Sequence, residues 1–444
     1  LFILYKQTKR IKYCVILIIS CTLQLLLPFV KRVLRATVHE ISRIIIISSI
    51  IVFMWMWLNR EIKINKITEN PVIVWWTNGF PGISQTLECE NNLKCDIFSD
   101  IKNEVYDVEA YLFYASNIHF NDLPLPRRSK EIIWGLYHEE SPRNVEELMH
   151  EVTLSLFNYS ATFSRHSDIP FPLQYLDSLD DIVSTKYYVP VKDKNDLIKD
   201  ISPVLYLQSD CETATERDAY VKELMKYIKV DSYGACLKNK EMPKEFNVDY
   251  LNNMNNGDFL RYIARYKFVI AIENGVCEDY VTEKFWRAIK VGSVPIYFGS
   301  PSIKDWFPNN KSAILIEDHP TPKLMSQYLK KLLQNDTLYE EHLQHKTKEE
   351  ITNKRLINEF NTRQFQTDAL QVASKFECLI CEKLHENRSK EKEKEPKIVN
   401  KSHYNCPKPI SALTLQVNPS NDWVFSYVAA KTKADDIYKE IIGN

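Results

Sequence analysis

Apolar and polar positions divide the chain into three regimes. The first holds two apolar runs, Tyr13–Val30 and Ile44–Leu58, each preceded by basic residues: Lys6, Lys9, Arg10 and Lys12, then Lys31, Arg32, Arg35 and Arg43. The second starts at Pro71, where short uninterrupted apolar runs alternate with stretches of helical spacing. Pro71–Trp76, Ala110–Ala115, Ile132–Leu136, Pro203–Ser209, Val230–Cys236 and Ala313–Ile316 read as strands. Asn144–Phe157, Cys211–Val230, Gly257–Tyr266, Pro322–Leu333 and Leu338–Ile357 read as helices. The third regime, from Glu386, opens on a Lys/Glu-rich stretch and ends in a segment whose aromatic part, Trp423–Tyr427, is expected to dock back on the body.

One stretch carries the strongest signal. Phe268 to Gly299 reads as a buried strand, a polar loop, an amphipathic helix and a second buried strand. Its polar residues gather where the first strand ends and the helix begins, the edge at which open α/β sheets bind ligands. Strands alternating with helices predict an α/β fold. The expected divisions are 1–70 (tail, anchor and stem), 71–185 (a first lobe), 186–385 (a second lobe) and 386–444 (insertion and docking tail), with Asp177–Asp200 as the polar linker.

Composition narrows the chemistry. A chain of 444 residues has room for two domains. A formal charge of −1 and the lack of zinc-finger spacing argue against nucleic acid as a partner. With 9 glycines and neither GxGxxG nor GxxxxGK[ST], any nucleotide is held without a glycine-rich phosphate loop. Apart from Cys14 and Cys21 in the first apolar run, eight cysteines remain: Cys89, Cys95, Cys211, Cys236, Cys277, Cys378, Cys381 and Cys406. An even set fits disulfides in an oxidising lumen, although Cys378-Leu-Ile-Cys381 is equally the spacing of a redox or metal pair. Cys211 and Cys236 bracket one helix–strand unit and are a natural pair. Sequons at Asn158, Asn310, Asn335, Asn387 and Asn400 are candidate glycosylation sites. Basic residues before Ile44–Leu58 and a polar stem after it fit a single anchor with the body in the lumen. The expectation is a type II protein of the Golgi or endoplasmic reticulum membrane, attached through one N-terminal helix.

Two constellations carry candidate chemistry. Glu139 and Glu140 end a strand, where a carboxylate can serve as a general base or simply cap the following turn. If the ligand is a sugar nucleotide, its departing diphosphate needs positive charge. No Asp-x-Asp pair after a strand is placed to hold a metal ion, whereas Lys284 in the first turn of its helix and Arg217 could supply the charge.

Glu273-Asn274, Asp279-Tyr280-Val281-Thr282-Glu283-Lys284 and Val294-Pro295 together resemble the signature of the α-1,3-fucosyltransferase family. Glu140-Ser141-Pro142, Ser167-Asp168-Ile169 (with His166 before it) and Asp231-Ser-Tyr233-Gly234 are similar to further motifs of that family. Tyr206-Leu-Gln-Ser209, Tyr220–Met225 and His138–Arg143 resemble a divergent branch linked to the innermost GlcNAc of N-glycans and to O-fucosylation of small cysteine-rich EMI modules.

The resemblance implies a GT-B arrangement of two Rossmann-like lobes and metal-independent, inverting transfer from GDP-fucose to a glycoprotein or glycan hydroxyl, with no cofactor. It implies Glu140 as the base, Arg217 and Lys284 on the diphosphate, and Glu283 on the ribose. Glu273 falls in the donor site, with Asn274 and Tyr280 near the fucose. It also implies bridges from Cys89 and Cys95 to Cys378 and Cys381, which leaves Cys277 with Cys406. Two other readings are a luminal binding protein that keeps the fold but not the activity, and a GT-B transferase for another nucleotide sugar.

Overall fold

The computed structural model describes residues 47–50, 69–99, 107–125, 132–246, 256–389 and 397–442. The chain divides into two compact units, Leu1–Asn65 and Lys66–Asn444. Of the first unit, only 47–50 are described, and they are helical. The rest of the anchor expected at 44–58, and the run Tyr13–Val30, lie outside the described residues. No helix among the described residues is long and apolar enough to cross a membrane.

The second unit is built on two sheets. The first has seven strands in the order β2-β3-β1-β4-β5-β6-β7. Their spans are β1 Val72–Trp75, β2 Gln85–Glu88, β3 Lys94–Ser99, β4 Val108–Tyr114, β5 Ile133–His138, β6 Tyr159–Thr162 and β7 Ile169–Pro170. All neighbours pair in parallel except β2 with β3. The second sheet is all parallel, in the order β12-β11-β10-β8-β9. Its strands are β8 Val204–Gln208, β9 Val230–Gly234, β10 Phe268–Ile272, β11 Val294–Phe298 and β12 Ile314–Leu315. Parallel strands covered on both faces are apolar throughout rather than alternating. Accordingly every residue of β10 (FVIAI) and β11 (VPIYF) is buried.

Among the helices that frame the sheets and their loops, six matter for the site. They are α1 Arg217–Leu224, α2 Gly257–Ala264, α3 Glu283–Val291, α4 Pro322–Leu333, α5 Ala369–Ser389 and α6 Asp422–Ile442. Helix α3 starts at Thr282, whose side chain caps it, and stops at Gly292, where φ is +66°. A Cβ at Gly292 would lie 2.5 Å from the Tyr188 ring, so glycine serves both the left-handed turn and the close packing.

Three expected helices are shorter or more broken, and the expected linker is more ordered. The helix expected over Cys211–Val230 begins only at Arg217, because Glu216 takes a left-handed φ of 50°. Asn144–Phe157 breaks into 3₁₀ turns and one short helix at Val145 and His150, both non-helical in φ/ψ. Leu338–Ile357 is interrupted at Glu349, with φ 49°, and restarts at the Asn353 cap. The linker Asp177–Asp200 contains helices at Leu179–Val183 and Val191–Leu197. The second of these buries Lys194, whose Nζ donates to the carbonyls of Tyr266 (3.0 Å) and Gly292 (2.6 Å).

Late segments return to the first sheet. Helix α5 packs Val372, Phe376 and Ile380 against Ile73, Leu112 and Ile133. Cys89–Cys378 and Cys95–Cys381 bolt it to β2 and β3, and Cys211–Cys236 and Cys277–Cys406 complete four disulfides. Cys95–Cys381 closes a loop with a separation of 286 residues, worth roughly 5 kcal/mol of denatured-state entropy. Its neighbour closes only a small additional ring, so the pair stabilises by far less than twice that. The Cys378-x-x-Cys381 spacing is therefore that of a staple. Both candidate metal clusters among the described residues, Cys95/Cys381/His385 and Cys211/Asp218/Cys236, draw on sulfurs already bridged.

Candidate active site

The end of β10 organises one half of the site. Glu273 leaves the sheet fully buried, and its carboxylate accepts from Thr282 N (2.8 Å) and Thr282 Oγ1 (2.7 Å). Burial raises this carboxyl above its ordinary range, with Lys284, 3.6 Å away, acting against it. The bonds clamp the start of α3 to the end of β10 and leave no part of Glu273 facing solvent. Lys284 Nζ reaches Thr282 Oγ1 (3.0 Å) and Glu283 Oε1 (3.1 Å). Burial lowers the Lys284 ammonium, but Glu283 and Glu273 outweigh it and leave it raised. For Glu283, burial raises the carboxyl, and Lys284 with Arg287 reverses this and holds it at about 2. Both side chains of this ion pair are therefore charged at neutral pH.

Arg217, at the first turn of α1 and 1% exposed, brings a second cation. Its Nη2 donates to the Asp210 carbonyl and lies 3.5 Å from Asp210 Oδ2, and Nη1 reaches the Ile272 carbonyl at 3.4 Å. Its Nε is buried with no hydrogen-bond partner. Arg217 acts electrostatically on Lys284, depressing its affinity for a proton. Two mutually repelling cations near the N-termini of α1 and α3 form a setting that an anion stabilises.

The end of β5 supplies the other half. Glu139 and Glu140 point to different places. Glu139 Oε1 accepts from Tyr114 OH and from Ser116 Oγ (3.5 Å), and its Oε2 is buried without a partner. Burial raises the Glu139 carboxyl. Glu140 instead turns toward the second sheet, where Tyr280 OH donates to its Oε2 at 2.7 Å and Tyr175 OH to its Oε1 at 3.5 Å. One residue on, Ser141 Oγ donates to Asn274 Oδ1 at 3.0 Å. A Cβ on Gly275 would lie 3.3 Å from Ser141 Oγ, so glycine lets the two strand ends approach. Tyr280 is buried, tilted against Phe163 with centroids 5.0 Å apart.

Glu140, Asn274, Tyr280, Glu283 and Lys284 thus converge, Glu273 stands behind them, and Arg217 is joined to the group through its field on Lys284. Sequence reasoning missed Tyr175, whose hydroxyl is held protonated by burial first and then by the charges of Glu140, Glu283, Glu139 and Glu273. It also missed Arg165. This side chain grips Asp279 through Nε–Oδ2 (2.8 Å) and Nη2–Oδ1 (2.5 Å), and Asp305 through Nη1 (2.7 Å). Burial raises the Asp279 carboxyl, and Arg165 outweighs it and lowers it. Asp279 in the signature is therefore a tether between the sheets. The available hint was a basic residue directly before His166-Ser167-Asp168.

Asn158 must be withdrawn as a glycosylation candidate. It is 7% exposed, its Oδ1 accepts from Trp134 N (2.8 Å), and its Nδ2 donates to the Lys397 carbonyl (2.9 Å). Asn310, Asn335, Asn387 and Asn400 are exposed.

Comparison with known proteins fits this geometry. Residues 50–174 match the family described as fucosyltransferase, N-terminal, and residues 197–401 match glycosyltransferase family 10 (fucosyltransferase), C-terminal. The chain is 40% identical over 378 residues to GDP-fucose protein O-fucosyltransferase 3 of Gallus gallus, covering 82% of this chain and 78% of that one. The protein of the same name from Homo sapiens is 39% identical, with 83% and 79% covered, and that from Xenopus laevis is 43% identical, with 76% and 73% covered. A solved structure of an α1,3-fucosyltransferase with GDP-fucose aligns with a TM-score of 0.40 and 16% identity, over 64% of this chain and 84% of that one. With both family regions matched in order and the signature residues assembled at the facing strand ends, the chain belongs to glycosyltransferase family 10, the fucosyltransferases.

Proposed function

We propose that this chain transfers fucose from GDP-fucose to a hydroxyl group of a protein, with inversion and without a metal ion. The observation that carries the reading is the 2.7 Å bond from Tyr280 OH to Glu140 Oε2, which couples a carboxylate at the end of one sheet to the signature loop of the other. Glu140 accepts the proton of the acceptor hydroxyl as its oxygen attacks the anomeric carbon of fucose. The bond from that carbon to the β-phosphate oxygen breaks on the opposite face. Negative charge then builds on GDP, where Lys284 and Arg217 stabilise it together with the start of α3. A fixed cation in a water-poor site lowers such a barrier by roughly 3–4 kcal/mol. Positive charge from these side chains takes the place of a metal ion. Glu283, charged throughout, accepts from the ribose hydroxyls. Glu273 acts indirectly, by holding Thr282 and Lys284 in place.

The relatives' names favour a protein acceptor over a glycan. The two sheets are read as the facing lobes of a GT-B enzyme, divided near residues 185–186. Four disulfides favour the lumen of the Golgi or endoplasmic reticulum, with the apolar run 44–58 as a single type II membrane anchor. The test is incubation with GDP-fucose and a folded EMI module in the presence of EDTA, followed by mass spectrometry and NMR of the product. Fucose α-linked to Ser or Thr is expected. Transfer to glycans but to no protein hydroxyl, or a requirement for added metal, would overturn the corresponding part of the reading.

A further inference from the structure

The C-terminal segment from Ser402 to Ile442 lies beyond the residues matched by either family region, yet it contacts residues beside Glu140, in the signature loop and beside Arg217. Beside the base, the Tyr404 hydroxyl lies 2.9 Å from Nδ1 of His138, two residues before Glu140. Beside the signature loop, Cys406 is bridged to Cys277, and Asn405 Nδ2 donates to Glu278 Oε2 at 2.7 Å. Beside Arg217, Ala412 N donates to the Thr215 carbonyl (2.8 Å) and Asn418 Nδ2 to Glu216 Oε1 (2.7 Å). Helix α6 then returns to the first sheet, where Ile441 joins the core around Phe113 and Trp134. The segment is a strap across the ends of both sheets.

This strap also makes a pocket. A small cleft is lined by Ser141, Arg143 and Gly275 on the body and by Pro407, Pro409 and Trp423 on the strap. Ser141 is the residue after the base, and Gly275 follows Asn274. Trp423 is fixed at the rim, its Nε1 donating to the Glu212 carbonyl at 2.6 Å and its ring lying 4.8 Å from the Arg143 guanidinium. Arg143 is in turn held by Asp210 at 2.8 Å. Pro407 and the Trp423 indole, both partly exposed, with buried Pro409 behind them, give a rigid, largely apolar wall that orders little on binding. A fucose acceptor that is a polypeptide must run chain away from the hydroxyl at Glu140, and the lining of this cleft includes Ser141, the next residue, facing the strap wall.

We infer that the strap residues Pro407, Pro409 and Trp423 form the acceptor-specificity wall of the enzyme, binding the polypeptide that flanks the modified hydroxyl. The inference rests on the reading of the acceptor as a protein. Its test uses the full chain, with a folded EMI module as acceptor and water as the competing acceptor in GDP-fucose hydrolysis. Trp423→Ala is expected to raise KM for the module roughly tenfold, leaving hydrolysis and GDP affinity at the parent values. Trp423→Phe, which keeps an aromatic face and loses the bond to Glu212, is expected to recover most of that loss. An unchanged KM overturns the inference. So does an equal fall in module transfer, hydrolysis and GDP affinity, since the tryptophan would then only brace the Arg217 loop. A parent enzyme that hydrolyses GDP-fucose yet fucosylates no protein refutes the protein-acceptor reading itself, before any variant is made.

Discussion

The ends of β10 and β5 face the same chemistry with opposite construction. At β10 each charge has a charged neighbour: Glu273, Lys284 and Glu283 form a chain of contacts of 3.6 and 3.1 Å through one threonine. At β5 the carboxylate of Glu140 is met by two tyrosine hydroxyls. A site that must hold a polyanion gains from cations fixed in advance, because nothing has to reorganise as charge develops. A base must lose and regain a proton in every turnover, and a salt bridge would oppose that. Under the proposed function, the contrast makes the β10 edge the one that binds and the β5 edge the one that reacts.

The comparison can be broken from either side. The largest effect is expected for Glu140→Gln, which should cut kcat for transfer by roughly 10³-fold or more while GDP affinity, read by calorimetry, stays at the parent value. Glu139→Gln should retain most of the transfer activity, since that carboxyl is directed at Tyr114 and Ser116. Lys284→Ala should lower kcat/KM for GDP-fucose by roughly 10²–10³-fold. It should also weaken GDP binding, and unchanged donor kinetics would remove Lys284 from the diphosphate site.

A smaller effect lies outside the site. Burial pushes the Glu377 carboxyl up to about 7, against the bond from Trp75 Nε1 at 2.7 Å. A carboxyl with a raised folded-state value binds its proton more tightly when folded. Its stabilising effect is full below the unfolded value, near 4.5, and is lost as pH rises through about 7. Glu377→Gln should therefore flatten the pH dependence of Tm across that window, removing on the order of 2–3 kcal/mol of variation. An unchanged pH profile would contradict the assignment.

Much of the fold and part of the site were legible in the chain. Central parallel strands are apolar on both faces, so β10 and β11 stand out as unbroken runs flanking a capped helix. The Thr282 cap and the Gly292 stop are local signals, and local signals survive in sequence. Glu140 was singled out from Glu139 only through the family resemblance; in the structure the two carboxylates take different partners, Tyr280 and Tyr175 for one and Tyr114 and Ser116 for the other. What stayed hidden is non-local. Glu273 reads as a ligand-facing acid until its partner Thr282 folds back onto it. Arg165 and Asp279 are 114 residues apart, and nothing near either predicts their pairing. The strap was expected to dock, but its path past His138, Cys277 and Thr215 depends on where two sheets place their loops. Asn158 has the sequon of a glycan site and the surroundings of a core residue.

The central claim is that Glu140 takes the acceptor proton on the face of fucose opposite the departing GDP. Chemical rescue tests it most directly. Glu140→Ala, incubated with GDP-fucose and azide, should be inactive toward hydroxyl acceptors and yet form α-fucosyl azide and GDP, because azide is a nucleophile that has no proton to lose. Absence of that product from Glu140→Ala, with α-fucosyl azide formed instead by Glu139→Ala, would contradict the account.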